Sequence, residues 1–281
     1  MKKKAIFLVV LLMASVHFSL PASLTKDLKI SVREKWIRDF SLDGLTLVFY
    51  VNIANSSSKD YFLSGYEYRF IVKQTDYLQL QTGLEEGIRI EARGETLVAF
   101  PVKITYENLF RTIPEMENEL HVICNLVGWA RFSDGRRERG KLALAFTGDF
   151  PIFWKPELQL VRLQVNTLTI GGADIEFAVK FQNKNRFDLM VDRISYTLTL
   201  AGYKIEKGTI AGDKNIDKQG EKLFSLPLLL DFFDLGKEVY NVLDKSSTQS
   251  RFTGVVEVQT VWGRLTIPFD EQELLTIKRI P

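Results

Sequence analysis

His121 and Cys124 are the side chains of this sequence with the clearest capacity for catalysis, as a general base and as a nucleophile. Both lie on one apolar segment, with His121 at its start and Cys124 between Ile123 and Asn125. A Ser-His-Asp triad or a histidine metal site would need His121, because the other histidine, His17, lies in the N-terminal segment. We interpret His121 as an imidazole at a strand edge and Cys124 as a small buried hydrophobic residue. The sequence therefore predicts a protein that is not an enzyme.

Carboxylate pairs and glycines are the next candidates, for metal or phosphate binding. Neighbouring carboxylates on a strand point to opposite faces, and these pairs lack the oxygen-rich loop spacing of a calcium site. One cysteine and two histidines do not form a zinc site. Gly171-Gly172 is interpreted as a turn, because no GxGxxG or Walker pattern surrounds it. We expect no metal and no cofactor. The closest carboxylate pairs are Glu85-Glu86, Asp231 with Asp234, and Glu271 with Glu273.

The run from Leu226 to Phe233 is apolar at consecutive positions, so we expect both of its faces to be covered. Asp234 is the predicted N-cap of a short helix after it. The apolar stripe of that helix is Leu235, Val239, Val242 and Leu243. If the helix packs tightly, the run is hydrophobic core; if it stands off, a cleft opens for a lipid or another amphiphile. The predicted ligand-binding residues of that cleft are Leu228, Leu230, Phe232, Val239 and Leu243.

Charge argues against nucleic acid as a partner. The formal net charge is +2, from 37 basic and 35 acidic residues, and without Lys2, Lys3 and Lys4 it is −1. A nearly neutral chain has no electrostatic footprint for nucleic acid. The densest basic group follows the turn Ser133 to Gly135, so we interpret it as a charged hairpin tip, with binding to anionic lipid head groups as the alternative. The group consists of Arg136, Arg137, Arg139 and Lys141.

Residues 1–23 are predicted to be an export signal. Lys2 to Lys4 form a basic region, Ala5 to Ala14 is an apolar run, and small residues near Ala22 resemble a processing site. An uncleaved anchor over Ala5 to Leu24 is the alternative. The predicted location is the periplasm or the cell envelope. The chain has a single cysteine, so export brings no intramolecular disulfide.

The segment Ala173 to Leu200 contains two alternating runs around the turn Asn183-Lys184-Asn185, and it occurs twice in the chain. Residues 47, 49, 51, 53 and 55 match residues 128 positions later, as do residues 66, 68, 70 and 72. A second set, which includes Gly94 and Pro101, matches Gly220 and Pro227 at a spacing of 126. The two prolines lie inside strand patterns, which indicates an edge strand or a bulge. The repeat predicts two domains, residues 24–152 (the first unit) and residues 153–281 (the second unit).

About seven short alternating strands per unit, with polar turns and one short helix, favour a β-sandwich. In the first unit Thr112, Pro114 and Glu115 form a predicted capping box for that helix. Pro151 to Pro156 is the predicted link between the units. The predicted fold class is all-β, with two tandem fibronectin-like β-sandwich domains.

Several of these segments together resemble the type 2 late embryogenesis abundant family, whose repeat is called the water stress and hypersensitive response domain. The matching parts are Pro156 to Leu160, Phe181 to Asn185, Ile194 to Leu198, Gly208 and the strand around Pro227. The family pattern Asn-Pro-Asn is Asn183-Lys184-Asn185 in the second unit and Asn55-Ser56-Ser57 in the first. The resemblance implies a fibronectin-like sandwich with a short helix in two tandem copies, and an association with desiccation or other stress. Some relatives are linked to membranes and lipids.

Three classes of function remain open from the sequence. A non-catalytic, exported protective or structural protein needs only folded sandwiches with polar surfaces. A binding module for lipid or another amphiphile is motivated by Leu226 to Phe233 and by Val48 and Tyr50 on the outer face of Leu45 to Ile53. An enzyme is the third class, and no residue pattern supports it.

Overall fold

A computed structural model describes residues 24–279, apart from the side chains of residues 211–213. The export segment predicted for residues 1–23 lies outside the described residues and stays a prediction. Strands make up most of the described chain, which confirms the all-β fold class. Among residues 24–279, no helix is long and apolar enough to cross a membrane.

The first unit contains seven strands and two short helical segments between β5 and β6. In chain order its elements are α1 (Leu24–Asp27), β1 (Leu28–Arg38), β2 (Gly44–Asn55), β3 (Tyr61–Val72), β4 (Thr75–Ile90), β5 (Glu95–Thr105), α2 (Tyr106–Thr112), a 3₁₀ turn (Pro114–Asn118), β6 (His121–Ser133) and β7 (Glu138–Pro151).

The second unit repeats this order with its helices before β13. Its elements are β8 (Glu157–Leu168), β9 (Gly172–Gln182), β10 (Leu189–Leu200), β11 (Tyr203–Ile216), β12 (Glu221–Asp231), α3 (Phe232–Leu235), α4 (Lys237–Leu243), β13 (Ser247–Thr260) and β14 (Gly263–Arg279).

The first unit is built from two antiparallel sheets, of order β1-β2-β5 and β4-β3-β6-β7. Alternation in β2 sends five apolar side chains inward, all of them nearly inaccessible: Leu45, Leu47, Phe49, Val51 and Ile53. Ring contacts join the two sheets, with centroids 6.2 Å apart for Phe49 and Phe146 and 4.9 Å apart for Tyr66 and Phe100. The sheets therefore pack face to face around one aromatic core.

The second unit has one continuous order, β11-β10-β13-β14-β8-β9-β12. Gly263 to Thr276 pair with β13, and the last three residues of β14 then pair in parallel with Leu163 to Val165 of β8. This short parallel pairing is the seam between two antiparallel layers. The edge strands β11 and β12 also contact each other. The alternation of residues predicted the strands, but it did not predict this seam.

Both predicted helix caps are wrong. Thr112 is the last residue of α2, and the 3₁₀ turn after it has Ile113 at its N-cap, so Thr112 is not an N-cap. The predicted early-turn proline is confirmed, because Pro114 begins that 3₁₀ turn.

In the second unit Asp231 caps α3, since its carboxylate accepts a hydrogen bond of 2.8 Å from the backbone N–H of Phe233. In each unit the helical segment begins directly at the end of an edge strand. The predicted cap Asp234 lies inside α3, and α4, which carries Val239, Val242 and Leu243 of the stripe, has Gly236 at its N-cap with no side-chain cap hydrogen bond.

Pro101 and Pro227 lie on β5 and β12, which are edge strands of their sheets. This confirms the interpretation from the sequence, because a proline cannot donate the hydrogen bond that a central strand needs on both sides. The pairing registers of both strands are continuous at the prolines, so an edge rather than a bulge accommodates them.

An aromatic cluster lies where the two units meet. The ring of Phe40, in the loop after β1, lies 5.9 Å from that of Phe153, 6.0 Å from that of Phe187 and 4.9 Å from that of Trp262. The strand pairings described for residues 24–279 all join partners within 28–151 or within 157–279. Side chains rather than a shared sheet therefore form the contact between the units.

We expect Phe40→Ala to weaken this contact and to lower the free energy of unfolding by about 1–3 kcal/mol, because a half-buried ring is lost. Calorimetry should then show two separate unfolding transitions where the parent shows one. Trp36→Ala is the matched control, since Trp36 is an exposed ring near the end of β1 that makes an edge-on contact with Tyr50 of the same unit. An unchanged single transition in Phe40→Ala would contradict this role of the cluster.

Candidate functional site

The predicted ligand-binding residues all belong to the hydrophobic core. Leu230, Phe232, Val239 and Leu243 are buried, and Leu228 is half-buried against the same core. The helix α4 contacts both β13 and β8, so it lies over the seam between the two layers. The exposed fractions of Val239 and Leu243 are 1% and 0%. These contacts are those of a packed helix, and a cleft at this position stays a prediction.

The expectation that both faces of Leu226 to Phe233 are covered is wrong. The strand β12 alternates, with Phe224, Leu226 and Leu230 buried. On its other face Leu229 is 86% exposed, and Phe233 at the start of α3 is 88% exposed. The reason is that only one face of β12 packs on the core, so its side chains alternate between buried and exposed.

Asn183 is a buried polar side chain that connects several segments of the second unit. It is fully buried, and its Nδ2 donates to the backbone oxygens of Phe187 at 2.8 Å, Asp217 at 3.1 Å and Ile216 at 3.3 Å. Its Oδ1 accepts from the backbone N–H of Asn185 at 2.9 Å. One side chain thus holds the turn after β9 against the end of β11, and every polar atom of the amide is satisfied.

Asn55 repeats this arrangement in the first unit. Its Nδ2 donates to the backbone oxygens of Lys59 at 2.7 Å, Glu91 at 3.0 Å and Ile90 at 3.2 Å, and its Oδ1 accepts from the backbone N–H of Ser57 at 3.0 Å. Each partner corresponds to one in the second unit at the spacing of 128 or 126 residues. The repeat predicted two equivalent turns. It did not predict that an asparagine inside each turn would be a buried bridge.

Asn185 extends the bridge to the link between the units. Its Oδ1 accepts from the backbone N–H of Trp154 at 2.7 Å, and its Nδ2 donates to the backbone oxygen of Trp154 at 2.8 Å. The indole Nε1–H of Trp154 donates to the backbone oxygen of Glu119 at 3.0 Å. The turn of the second unit, the link and the first unit are therefore joined by hydrogen bonds as well as by rings.

His121 is exposed on the surface of the first unit. Its Nε2 lies 3.0 Å from Oδ2 of Asp149, while Nζ of Lys35 lies 3.0 Å from Oδ1. The hydrogen bond from Lys35, and then that of His121, holds the pKa of Asp149 below its usual value. This is an exposed charge network of three side chains, of the kind that contributes little stability.

Cys124 is fully buried on β6. Burial raises the pKa of its thiol to about 12, so the group stays protonated and unreactive at neutral pH. These surroundings are those of a small core residue.

We expect Cys124→Ala to lower the free energy of unfolding by at most about 1–2 kcal/mol, the scale of a small core truncation. Urea denaturation followed by circular dichroism measures it. In the parent protein, a thiol reagent at neutral pH should react only as the chain unfolds. Rapid labelling of the native protein, or loss of a cellular phenotype with stability intact, would contradict a purely structural thiol.

The basic hairpin tip is organised by an aspartate. The carboxylate of Asp134 accepts from the backbone N–H groups of Arg137 at 2.8 Å and Arg136 at 3.0 Å, and it pairs with Arg139. These contacts lower the pKa of Asp134 to about 2, and the hydrogen bond from the backbone N–H of Arg137 is the largest cause. The side chains of Arg136 and Arg137 are exposed and have no ion pair among the described residues.

Beside this tip lies a surface cavity of about 490 Å³. Leu24, Asp27, Lys59 and Tyr61 are among its lining residues, and the Tyr61 hydroxyl donates to Asp27 at 2.5 Å. Within residues 24–279, no group of three or more histidine, cysteine or acidic side chains is arranged to hold a metal ion.

The comparisons with known proteins bear on the second unit. The model of the family described as "Late embryogenesis abundant protein" matches residues 178–273, from within β9 to within β14. The match includes Asn183 and the predicted cleft residues. It covers one copy, and the first unit that the sequence predicted as a further copy is not part of it. No curated protein sequence matches this chain significantly.

Two proteins of known structure are among the matches to this chain. A protein from Archaeoglobus fulgidus is 17% identical over 44% of this chain and 100% of its own chain, with a TM-score of 0.30. Red sea bream transglutaminase is 10% identical over 88% of this chain, with a TM-score of 0.24, and the match spans 31% of the transglutaminase chain.

Proposed function

We propose that this is an exported, non-catalytic protein of the late embryogenesis abundant type 2 kind, with a protective role in desiccation or other stress, or a structural role in the cell envelope. The observation that carries the proposal is the family match over residues 178–273. The repeated hydrogen bonds of Asn55 and Asn183 support a division into two copies near residue 152. Both units need only a stable fold with a polar surface for such a role.

Deletion of the gene in the native organism tests the role, with survival measured after drying and after osmotic stress. Under this proposal survival falls, and the wild-type gene restores it. Cell fractionation tests export at the same time, because the protein should be found in the envelope or periplasmic fraction. Unchanged survival together with a cytoplasmic location would refute the proposal.

Binding of lipid or another amphiphile is the second candidate function. The position of α4 over the seam supports it, because β14 and β8 are paired through three residue pairs within residues 24–279. Displacement of α4 would open a space lined by Leu228, Leu230, Phe232, Val239 and Leu243. Mass spectrometry of lipids that copurify with the protein from its native envelope tests this function. A preparation that is free of lipid and does not bind a fluorescent fatty acid would exclude it.

A further inference from the structure

Leu24, where the described residues begin, is a fixed part of the first unit. It is 1% exposed, and the helix α1 that it starts contacts β7. The backbone N–H of Ser56 donates to the oxygen of Asp27 at 2.8 Å, and the Ser56 hydroxyl donates to the backbone oxygen of Lys26 at 3.0 Å. The fold therefore starts at Leu24, with no free segment between Leu24 and β1.

Leu24 lies at one end of the first unit, here called its turn end. The turn end consists of α1, residues 55–60, residues 91–94 and the turn 133–139. The surface cavity of about 490 Å³ lies between three of these parts, because Leu24, Lys59 and Arg139 are among its lining residues. Residues 91–94 join them, since the backbone N–H of Arg93 donates to the oxygen of Ser57 at 3.0 Å.

The exposed side chains of the turn end are mainly basic. Most of its carboxylates are engaged within the unit: Asp60 pairs with Arg89, Asp134 pairs with Arg139, and Asp27 accepts from the Tyr61 hydroxyl. Glu91 and Glu138 are exposed and unpaired within residues 24–279. Against these two stand five exposed basic side chains without a salt bridge in the same range: Lys26, Lys59, Arg93, Arg136 and Arg137.

The sequence before Leu24 has the length of a membrane anchor. Nineteen residues, Ala5 to Ser23, separate Lys4 from Leu24 and include no Asp, Glu, Lys or Arg. About 20 predominantly apolar residues cross the hydrocarbon core of a bilayer. A processing site needs small residues at the first and third positions before the cut, and Leu20 holds the third position for a cut after Ala22. An anchor of this length brings Leu24 directly to the lipid head groups.

We propose that residues 5–23 are retained as an anchor and that the turn end of the first unit lies on the surface of an anionic bilayer. The five basic side chains of this end face the lipid phosphates, and each adds to the attraction. Because no linker separates the anchor from the fold, the effective concentration of the basic side chains at the surface is high. The inference rests on the export part of the proposed function and is independent of a protective role.

The second unit then points away from the membrane. The strand β1 starts at the turn end and leads to Phe40 at the opposite end of the first unit, and the ring of Phe40 contacts Phe187 and Trp262 of the second unit. The loop after α4, which includes Ser246, is at the far end of the second unit from this contact.

Fluorescence quenching tests this orientation. The full chain is reconstituted into phosphatidylcholine vesicles that contain a lipid with a spin-labelled head group, with and without phosphatidylglycerol. Cys124 is buried, so a fluorophore can be attached selectively to a cysteine introduced at an exposed serine, by Ser58→Cys at the turn end or by Ser246→Cys at the far end. The label at residue 58 should be quenched at least about 3-fold more than the label at residue 246, and salt should reduce the difference.

Charge reversal tests the basic side chains. Arg136→Glu with Arg137→Glu should lower the docking equilibrium constant, obtained from the phosphatidylglycerol-dependent quenching at residue 58, about 10-fold or more. Lys204→Glu with Lys207→Glu is the matched control, because it makes the same change in charge at exposed positions of β11 in the second unit. Near-ultraviolet circular dichroism checks that each variant is folded.

Several results would overturn the proposal: equal quenching at the two positions, quenching at residue 58 that does not depend on phosphatidylglycerol, or an equal loss in the control variant. A mass spectrum of the protein from its native membrane that shows a cut before Leu24 would also overturn it. These results leave the proposed export intact, whereas a cytoplasmic location in cell fractionation would refute both proposals.

Discussion

Asn183→Asp is expected to lower the free energy of unfolding by about 3–5 kcal/mol, the cost of an uncompensated charge in a buried site. Aspartate has nearly the same shape, so packing hardly changes. The substitution removes the amide N–H groups that donate hydrogen bonds to the backbone oxygens of Phe187, Ile216 and Asp217. It also places a carboxylate next to those oxygens. Leaving buried acceptors without donors adds to the cost.

Urea denaturation measures this loss of stability, and two further variants serve as an equivalent site and as a control. Asn55→Asp should cost a similar amount, because Asn55 donates to the three equivalent oxygens. Asn108→Asp is the control: Arg111 donates to Oδ1 of Asn108 at 2.7 Å, so a carboxylate fits there and stability should change by less than about 0.5 kcal/mol. A loss below about 1 kcal/mol for Asn183→Asp would show that the bridge is not a main support of the second unit.

Val239→Asp is expected to unfold the second unit, or to lower its free energy of unfolding by about 3–5 kcal/mol. Val239 is 1% exposed on α4 and faces the core of the seam. A carboxylate there would lose its hydration among apolar side chains. Thermal unfolding followed by circular dichroism measures this result.

The same variant separates a core from a ligand cleft. If α4 covers a lipid cleft, Val239→Asp should stay folded and lose binding of a fluorescent fatty acid. If α4 is plain core, stability falls first and no separate binding defect is seen. Leu274→Asp is the control, because Leu274 is 69% exposed on β14 and should accept a carboxylate with little change.

Much of the fold could be read from local patterns. The alternation in Leu45 to Ile53 and in Ile175 to Phe181 predicts strands with one buried face, and burial follows that pattern in β2 and β9. Pro101 and Pro227 predicted edge strands, because a proline lacks the backbone N–H that a central strand needs for pairing on both sides. Whether a segment forms a strand with one buried face, and whether a proline limits it to an edge, depends on a few neighbouring residues. Both properties can therefore be predicted from the sequence.

The candidate site could be read only in part. Four of the five apolar residues of the predicted cleft are buried in the core and Leu228 packs against it, while the cleft itself stays a prediction. The helix caps were misplaced, because each predicted helix is divided into two short segments: α2 and the 3₁₀ turn in the first unit, and α3 and α4 in the second. The outer face of β12 was expected to be covered, but a run of apolar residues does not show whether one face or both faces of its strand pack on the core.

The sequence alone established the strands, the repeat and the all-β class, since each depends on residue types at short or regular spacing. Tertiary structure alone decided that Asn55 and Asn183 are buried bridges, because their acceptors at Ile90 and Ile216 lie 35 and 33 residues away along the chain. It also decided that Phe233 at the start of α3 is exposed while the neighbouring Phe232 is buried. Such properties depend on which surfaces meet in space, and the local order of residues does not specify that.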